Sequence, residues 1–218
     1  MDDDRVLGFF KFSSRCHIEQ LVQGTLYMNT LDYFAEIEEK EAGDLRCDSF
    51  EGVGRTIPAN GAVLNIKIGE EFQPVGQLSG AIQWRPTAGI KANVFCMYAL
   101  RPPDSPVFVD ERNLRFGDTF AVLINGEEFL RRVRTAAESC GHKLEYHLVE
   151  YFDEETYTGE VGIFRKRNAF RYQSEFRIAL VPGIKGPYSF AIGDLSDITL
   201  TGPLAELNQR LRFATSAP

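Results

Sequence analysis

The sequence predicts an α+β fold, formed by a single domain over residues 1–218 with a mixed, mostly antiparallel sheet and a few flanking helices. Three observations predict it. The chain of 218 residues is 44% hydrophobic and 25% charged, as in an ordinary folded protein. Short apolar segments bounded by turn residues outnumber the stretches with helical spacing. Neither a repeat nor a linker long enough to divide the chain is evident.

The N-terminal region alternates strand, helix and strand. Val6 to Phe12 is apolar enough for a buried strand. Ser13-Ser14 follows and is expected to cap, through its side-chain oxygens, a short helix from about Arg15 to Gln23. Gly24 has the position of a C-terminal helix cap, and Thr25 to Asn29 is expected to return as a second strand.

Two more helices and six more strands are expected further along the chain. The clearest helix runs from Glu127 to Cys140, where acidic side chains lie at the positive end and apolar ones recur at helical spacing. A C-terminal helix is expected over about Leu204–Leu211, and the acidic stretch from Asp32 to Gly54 is expected to be a loop or frayed helix. The further strands are Ala62–Ile68, Asn93–Leu100, Leu144–Phe152, Gly162–Phe164, Phe170–Leu180 and Tyr188–Ile192.

Charge and cysteine spacing exclude several classes of protein. A net charge of -7 disfavours coating of DNA or RNA through bulk electrostatics. Cys16, Cys47, Cys96 and Cys140 form no C-x-x-C pair and are accompanied by only three histidines, which predicts four buried, reduced thiols and no metal site. The acidic N-terminus and the lack of a long apolar run predict a cytoplasmic protein.

The stretch from Phe170 to Leu180 holds the most informative polar pattern. If it is one strand, Arg171, Gln173, Glu175 and Arg177 share a face. Glu175, set between an amide and an arginine, should stay ionised and could meet positive charge that develops on a substrate. On this basis Glu175→Ala is expected to remove activity with little loss of stability. The alternative is a solvent-facing strand surface with Glu–Arg pairs and no chemistry.

Both ends of the chain resemble a widespread bacterial domain family of unknown function. The resemblance rests on Phe-Lys-Phe-Ser-Ser at positions 10–14 and on Tyr-Gln-Ser-Glu-Phe-Arg at positions 172–177. The chain departs from the family pattern at Phe170, where a tryptophan is usual, and at Gln173, where a glutamate is usual.

The same order of elements is distantly similar to ADP-ribosyltransferases, in which a late strand carries Gln/Glu-x-Glu. Gln173-Ser174-Glu175 matches that motif. The resemblance implies that NAD is the substrate, that Glu175 stabilises the oxocarbenium-like transition state as nicotinamide leaves, and that Gln173 orients the acceptor. It implies no metal.

Several further residues are expected to contact NAD. Lys11, Ser13 and Ser14 lie where a phosphate could meet a cation and the first amides of a helix. Tyr27 and Tyr33 could stack on nicotinamide or a base. Arg171 and Arg177 complete this set because they share the polar face of Glu175.

Two functions from different classes follow. The first is an NAD-consuming transferase of bacterial toxin or phage-defence type, with a protein or nucleic acid as acceptor. The second is a non-catalytic module that recognises a nucleotide or nucleic acid through basic and aromatic side chains over Arg165–Arg177. To distinguish the two, we expect Glu175 of an enzyme to line a deep cleft shared with Lys11, Ser13 and Tyr27, and an NAD-sized cleft is expected if the strands of Lys11 and Glu175 are neighbours.

Overall fold

A computed structural model describes residues 5–34, 48–60, 62–102 and 108–212. The protein is α+β with mostly antiparallel sheets and a few helices, which confirms the coarse prediction. The chain forms two compact units. The first comprises Met1–Thr30, Ala92–Val149 and Tyr172–Pro218, and the second comprises Leu31–Lys91 and Glu150–Arg171. The single domain over 1–218 stays a prediction.

The elements are numbered in chain order. The helices whose bounds lie within the described residues are α1 (Arg15–Val22), α2 (Gly126–Ser139) and α3 (Leu207–Arg210), and 3₁₀ turns cover Glu111–Arg115, Asn168–Gln173 and Leu204–Glu206. Residues 31–34 are also helical. The strands are β1 (Gly8–Ser13), β2 (Thr25–Thr30), β3 (Arg55–Ile57), β4 (Val63–Ile68), β5 (Glu71–Gln77), β6 (Ile82–Trp84), β7 (Asn93–Leu100), β8 (Thr119–Leu123), β9 (Leu144–Leu148), β10 (Glu150–Phe152), β11 (Gly159–Glu160), β12 (Arg165–Arg167), β13 (Glu175–Leu180), β14 (Tyr188–Ala191) and β15 (Thr199–Pro203).

The first unit is built on a sheet of eight strands that forks beside β7. Along one edge of β7, β13 pairs from Asn93 to Tyr98, and β9 pairs with β13 beyond it. The other edge is shared, because β1 pairs only with the Tyr98–Leu100 end and β2 only with Asn93 and Val94. The two arms of the fork then continue separately, β1 to β8 and β15, and β2 to β14.

Helix α1 joins the two arms, and Gly24 makes the turn from α1 into β2 possible. Gly24 has φ +90°, and a Cβ there would lie 2.2 Å from the Gly193 carbonyl oxygen. Only glycine accepts both the left-handed backbone and this close approach. The Gly24 carbonyl in turn accepts a hydrogen bond from the Ile192 amide at 2.8 Å.

One face of the large sheet packs its apolar side chains against α2. Phe129, Val133 and Ala137 recur every four residues on α2 and are buried in the same cluster as Phe95 and Ile178 of the sheet. The Asn125 side chain caps α2 by accepting a hydrogen bond from the Glu128 amide at 3.0 Å. The predicted helix from Glu127 to Cys140 is therefore confirmed to within one residue at each end.

The described residues of the second unit form three small sheets and an apolar cluster of Phe50, Val53, Phe152, Val161 and Tyr157. Buried charge pairs adjoin this cluster. Asp48 is fully buried and accepts a bond from Arg167 Nε at 2.7 Å, and the buried Lys166 and Glu51 lie 3.4 Å apart.

Several predicted elements differ from the structure. The late strand begins at Glu175 and not at Phe170, the stretch Gly162–Phe164 is not a strand, and the C-terminal helix is shortened to a 3₁₀ turn followed by α3. Cys16 and Cys140 are exposed, so their predicted burial is wrong, although Cys16, Cys96 and Cys140 are all free thiols. Cys47 and most of the acidic stretch, residues 35–47, lie outside the described residues.

Helices long and apolar enough to cross a membrane are absent from the described ranges.

Candidate functional site

Glu175 is placed at the first position of β13 by a constrained residue before it. Ser174 has φ +39°, a left-handed conformation that is uncommon outside glycine and costs conformational energy. Two hydrogen bonds to Ala99 hold it there, since the Ser174 carbonyl accepts from the Ala99 amide and the Ser174 hydroxyl donates to the Ala99 carbonyl, both at 2.7 Å. The backbone therefore fixes where the Glu175 side chain begins.

The Glu175 carboxylate forms a buried ion pair with Arg177. Arg177 Nε donates to Glu175 Oε1 at 2.6 Å, and the two residues are 5% and 2% exposed. This burial excludes the solvent-facing alternative. It also reverses the expectation that Glu175→Ala would leave stability nearly unchanged, because removing one partner of a buried ion pair is strongly destabilising.

Cross-strand alignment shows which residues share the face of this pair. Glu175 is aligned with Tyr98, and Arg177 lies between Cys96 of β7 and His147 of β9. Residues aligned across a sheet project from the same side. This face, opposite to α2, is called the acidic-pair face below.

Tyr98 and His147 of this face were missed by the sequence analysis. Burial raises the pKa of Tyr98 to about 12, so its hydroxyl is protonated at neutral pH, and this hydroxyl donates to the Phe108 carbonyl at 3.3 Å. His147 is exposed on β9. Neither lies near Glu175 in the sequence, so only the strand order could have revealed them.

Gln173 does not lie on the strand of Glu175. It ends the 3₁₀ turn Asn168–Gln173 and is buried, with its Nε2 3.4 Å from the Tyr172 hydroxyl. The predicted alternation from Arg171 to Arg177 on one strand face is therefore wrong at Arg171 and Gln173, because Ser174 interrupts it. The turn is held in place by Asn113, whose side chain donates to the Tyr172 carbonyl at 2.7 Å.

Lys11 is separated from Glu175 in two ways. The expected neighbours β1 and β13 have β7 between them. Phe10 is aligned with Tyr98 and so lies on the acidic-pair face, which places the next residue, Lys11, on the other face. The predicted single cleft shared by Lys11 and Glu175 is therefore wrong.

Lys11 instead closes the fork of the sheet. Its Nζ donates to the Cys96 carbonyl at 2.7 Å and lies 4.6 Å from the ring centre of Phe95. Cys96 lies between the part of β7 that pairs with β1 and the part that pairs with β2. At Cys96 itself, no strand of the described chain pairs with this edge of β7. The ammonium group thus replaces the hydrogen bond that a neighbouring strand would supply.

Ser13 and Ser14 meet a histidine rather than the helix amides. Ser14 is the N-cap of α1, but its side chain makes no capping hydrogen bond. Its Oγ lies 3.0 Å from His17 Nδ1 and 3.2 Å from Cys16 Sγ, and Ser13 Oγ lies 3.4 Å from the same nitrogen. The predicted cap is therefore wrong in its side-chain contact, and His17 was missed as the partner.

Tyr27 is exposed on the acidic-pair face. It is 52% exposed. Tyr27 lies two residues before Asn29 and therefore on the same face of β2. Asn29 is aligned with Val94 of β7, and Val94 is aligned with Ala179 of β13. Tyr27 therefore projects from the same side of the sheet as Glu175 and Arg177. Tyr33 belongs to the second unit, where it is exposed and contacts Phe34 edge to face.

The basic residues near Arg171 contact groups within the chain. Arg165 meets Glu150 at 2.8 Å, and Lys166 and Arg167 form the buried pairs described above. Arg171 donates to the Asn168 side chain at 3.2 Å and lies over the Tyr151 ring. Since carboxylates neutralise these three cations, the stretch does not present the free positive surface that the nucleic-acid alternative assumed.

Comparisons with known proteins identify no relative of this chain. No family model, no curated protein and no solved structure matches the chain. Within the described ranges, no group of three or more His, Cys, Asp and Glu side chains is arranged to hold a metal ion.

Proposed function

We propose that this protein is an NAD-consuming transferase of the ADP-ribosyltransferase type, acting in a bacterial toxin or phage-defence role. In the proposed reaction the bond between nicotinamide and ribose C1′ breaks, and its electron pair leaves with nicotinamide. A nucleophile of a protein or nucleic-acid acceptor then bonds to C1′ and loses its proton. Positive charge builds up on the ribose ring between these events, and a fixed carboxylate stabilises it.

The placement of Glu175 carries the proposal. Its carboxylate is held at 2.6 Å by Arg177, is shielded from water, and follows a left-handed residue that is anchored at two atoms. Charges interact more strongly in such a shielded position than in water. Backbone strain that the surrounding structure maintains is typical of functional positions.

Tyr27 supports the choice of an aromatic ligand. Its ring is half exposed on the face that carries Glu175, and an exposed tyrosine offers a surface on which nicotinamide can stack. The sequence Gln173-Ser174-Glu175 resembles the Gln/Glu-x-Glu motif of ADP-ribosyltransferases, of which only Glu175 lies on the strand here, and this resemblance supports the same ligand. Lys11 has no part in this proposal, because it projects from the other face and closes the fork.

Calorimetry with NAD tests the binding half of the proposal. The native chain should bind NAD, and Tyr27→Ala should weaken binding because the stacking surface is lost. Glu175→Gln should bind nearly as well as the native chain, since its carboxylate acts mainly when positive charge develops. Lys11→Met should also bind normally. Absence of NAD binding at about millimolar concentration, equivalent to roughly -4 kcal/mol, would contradict the proposal.

A further inference from the structure

The hairpin formed by β4 and β5 exposes an unusual amount of apolar surface. Every residue of both strands is exposed, and an isolated two-stranded hairpin is at best marginally stable in water. Its large apolar side chains, 45–70% exposed, are Val63, Leu64, Ile66, Ile68, Phe72 and Val75. These side chains are spread over both faces of the hairpin, since Leu64, Ile66 and Ile68 lie on one face, whereas Phe72, which is aligned with Lys67, lies on the other face with Val63.

The apolar side chains of β4 have no apolar neighbours across the hairpin. Leu64, Ile66 and Ile68 share one face because they alternate along the strand. On β5 they are aligned with Gly76, Gln73 and Glu71, respectively. The three-residue apolar row is therefore left without a matching row inside the hairpin.

The outer edge of β4 is suited to pairing with another strand. In the described part of the chain β4 pairs only with β5. Strand β4 contains neither proline nor glycine and has a single charged residue, Lys67. Strand β5 contains Pro74 and Gly76, and the register shifts opposite Leu64 and Asn65. Proline and register shifts protect a strand edge from pairing, whereas an apolar edge such as that of β4 invites it.

We propose that β4 pairs antiparallel with β4 of a second copy of this chain, about a two-fold axis at Ile66. Aligned residues of an antiparallel pair share a face. Two or more of Leu64, Ile66 and Ile68 can therefore be aligned with members of the same row in the second copy only if the two-fold axis passes through position 65, 66 or 67. An axis at Lys67 would place two ammonium groups opposite each other, which is unfavourable. An axis at Asn65 would align Ile68 with residue 62 of the second copy, which precedes β4, so Ile68 would have no partner on that strand.

An axis at Ile66 avoids both the opposed ammonium groups and the loss of the alignment partner of Ile68. Ile66 then faces Ile66 of the second copy, and Leu64 faces Ile68 on either side of it. Lys67 is aligned with the neutral Asn65, so no like charges meet. The result is a four-stranded sheet with a continuous apolar row. Pairing along one strand edge buries less than the roughly 800 Å² that each partner contributes to a standard interface, so we expect a dimer of about micromolar stability. This inference is independent of the proposed function.

Light scattering on the full chain tests the dimer. At about 100 µM the native protein should have twice the chain mass of 24.6 kDa. Ile66→Lys places two ammonium groups at the axis and should raise the dissociation constant at least about tenfold. Gln73→Lys is the matched control, because it adds the same charge on the same face of the hairpin but on β5, and it should remain dimeric. A monomeric native chain, or a dimer that Ile66→Lys leaves intact, would overturn the proposal.

Cross-linking gives a second test that does not depend on loss of a dimer. Aligned Cα atoms of antiparallel strands are about 4.5–5.5 Å apart, within the range of a disulfide. Ile66→Cys should therefore form a linked dimer on mild oxidation. The native chain and Gln73→Cys are the controls, because Cys16 and Cys140 are exposed and could link copies on their own. Equal cross-linking in all three proteins, or none in Ile66→Cys, would refute the axis.

Discussion

Removing the Glu175 side chain should destabilise the protein strongly, because the carboxylate forms an ion pair with a buried arginine. Arg177 is 2% exposed and its Nε lies 2.6 Å from Glu175 Oε1. Glu175→Ala leaves the guanidinium in the same shielded place without this carboxylate. Breaking a buried ion pair on one side typically costs about 3–5 kcal/mol, since the desolvation cost of the remaining charge is no longer offset.

Urea unfolding followed by circular dichroism measures this cost. With a slope of about 3 kcal/mol per molar urea, a loss of about 3–5 kcal/mol lowers the midpoint by more than about 1 M. Glu145→Ala is the matched control, because Glu145 is an exposed glutamate aligned with Ala179 on the same face of the sheet. It should change stability by less than about 0.5 kcal/mol.

A double variant separates the lost charge from the lost packing. Glu175→Leu combined with Arg177→Met removes both charges, so it should cost less than Glu175→Ala alone. If Glu175→Ala shifts the midpoint no more than Glu145→Ala does, the ion pair is not buried in solution and the reasoning about the site fails.

Three further predictions concern the framework of the first unit. Gly24→Ala should prevent stable folding, seen as loss of a cooperative thermal transition, because its Cβ would lie 2.2 Å from the Gly193 carbonyl oxygen. Lys11→Met should lower the urea midpoint, since the Cys96 carbonyl loses a charged donor worth about 1.5–3 kcal/mol. Hydrogen bonds from two arginines lower the pKa of Glu128 to about 2 from 4.5. The stability this provides is therefore complete above pH 4.5 and is lost as the pH falls towards 2, and Glu128→Gln should flatten acid unfolding across that window.

Each of these three has a result that would contradict it. A Gly24→Ala protein that melts like the native chain would show that the α1–β2 turn is not as tight as described. An unchanged midpoint for Lys11→Met would mean that water replaces the ammonium group at the fork. Identical acid-unfolding curves for Glu128→Gln and the native chain would mean that the arginine contacts of Glu128 do not persist in solution.

Elements with a continuous or strongly periodic apolar pattern could be predicted from the sequence. The eight residues of β7, from Asn93 to Leu100, were predicted with both bounds, and α2 to within one residue at each end. Both are buried by tertiary packing that agrees with their local pattern. Strand β5 was missed because Pro74 and Gly76 within it are residues that usually interrupt strands.

The site was predicted less well, because its geometry depends on long-range pairing and on one unusual backbone conformation. Ser174 carries no sequence signal for a left-handed conformation, so the strand was extended back through Gln173. The order β1-β7-β13 cannot be deduced from local patterns, so Lys11 was placed with Glu175. The polar spacing of Glu175 and Arg177 on one strand did hold, because both lie within β13.

The release of nicotinamide from NAD tests the central claim most directly. The native chain, Glu175→Gln and Glu145→Gln are compared at equal concentration, with circular dichroism confirming that each is folded. The native chain and Glu145→Gln should release nicotinamide at similar rates, and Glu175→Gln should be slower by about 10²–10³-fold, as when one group that stabilises the transition state is removed. Release by Glu175→Gln at the native rate, or no release by the native chain with acceptor-containing cell extract present, would contradict the role of Glu175 in breaking the bond between nicotinamide and ribose.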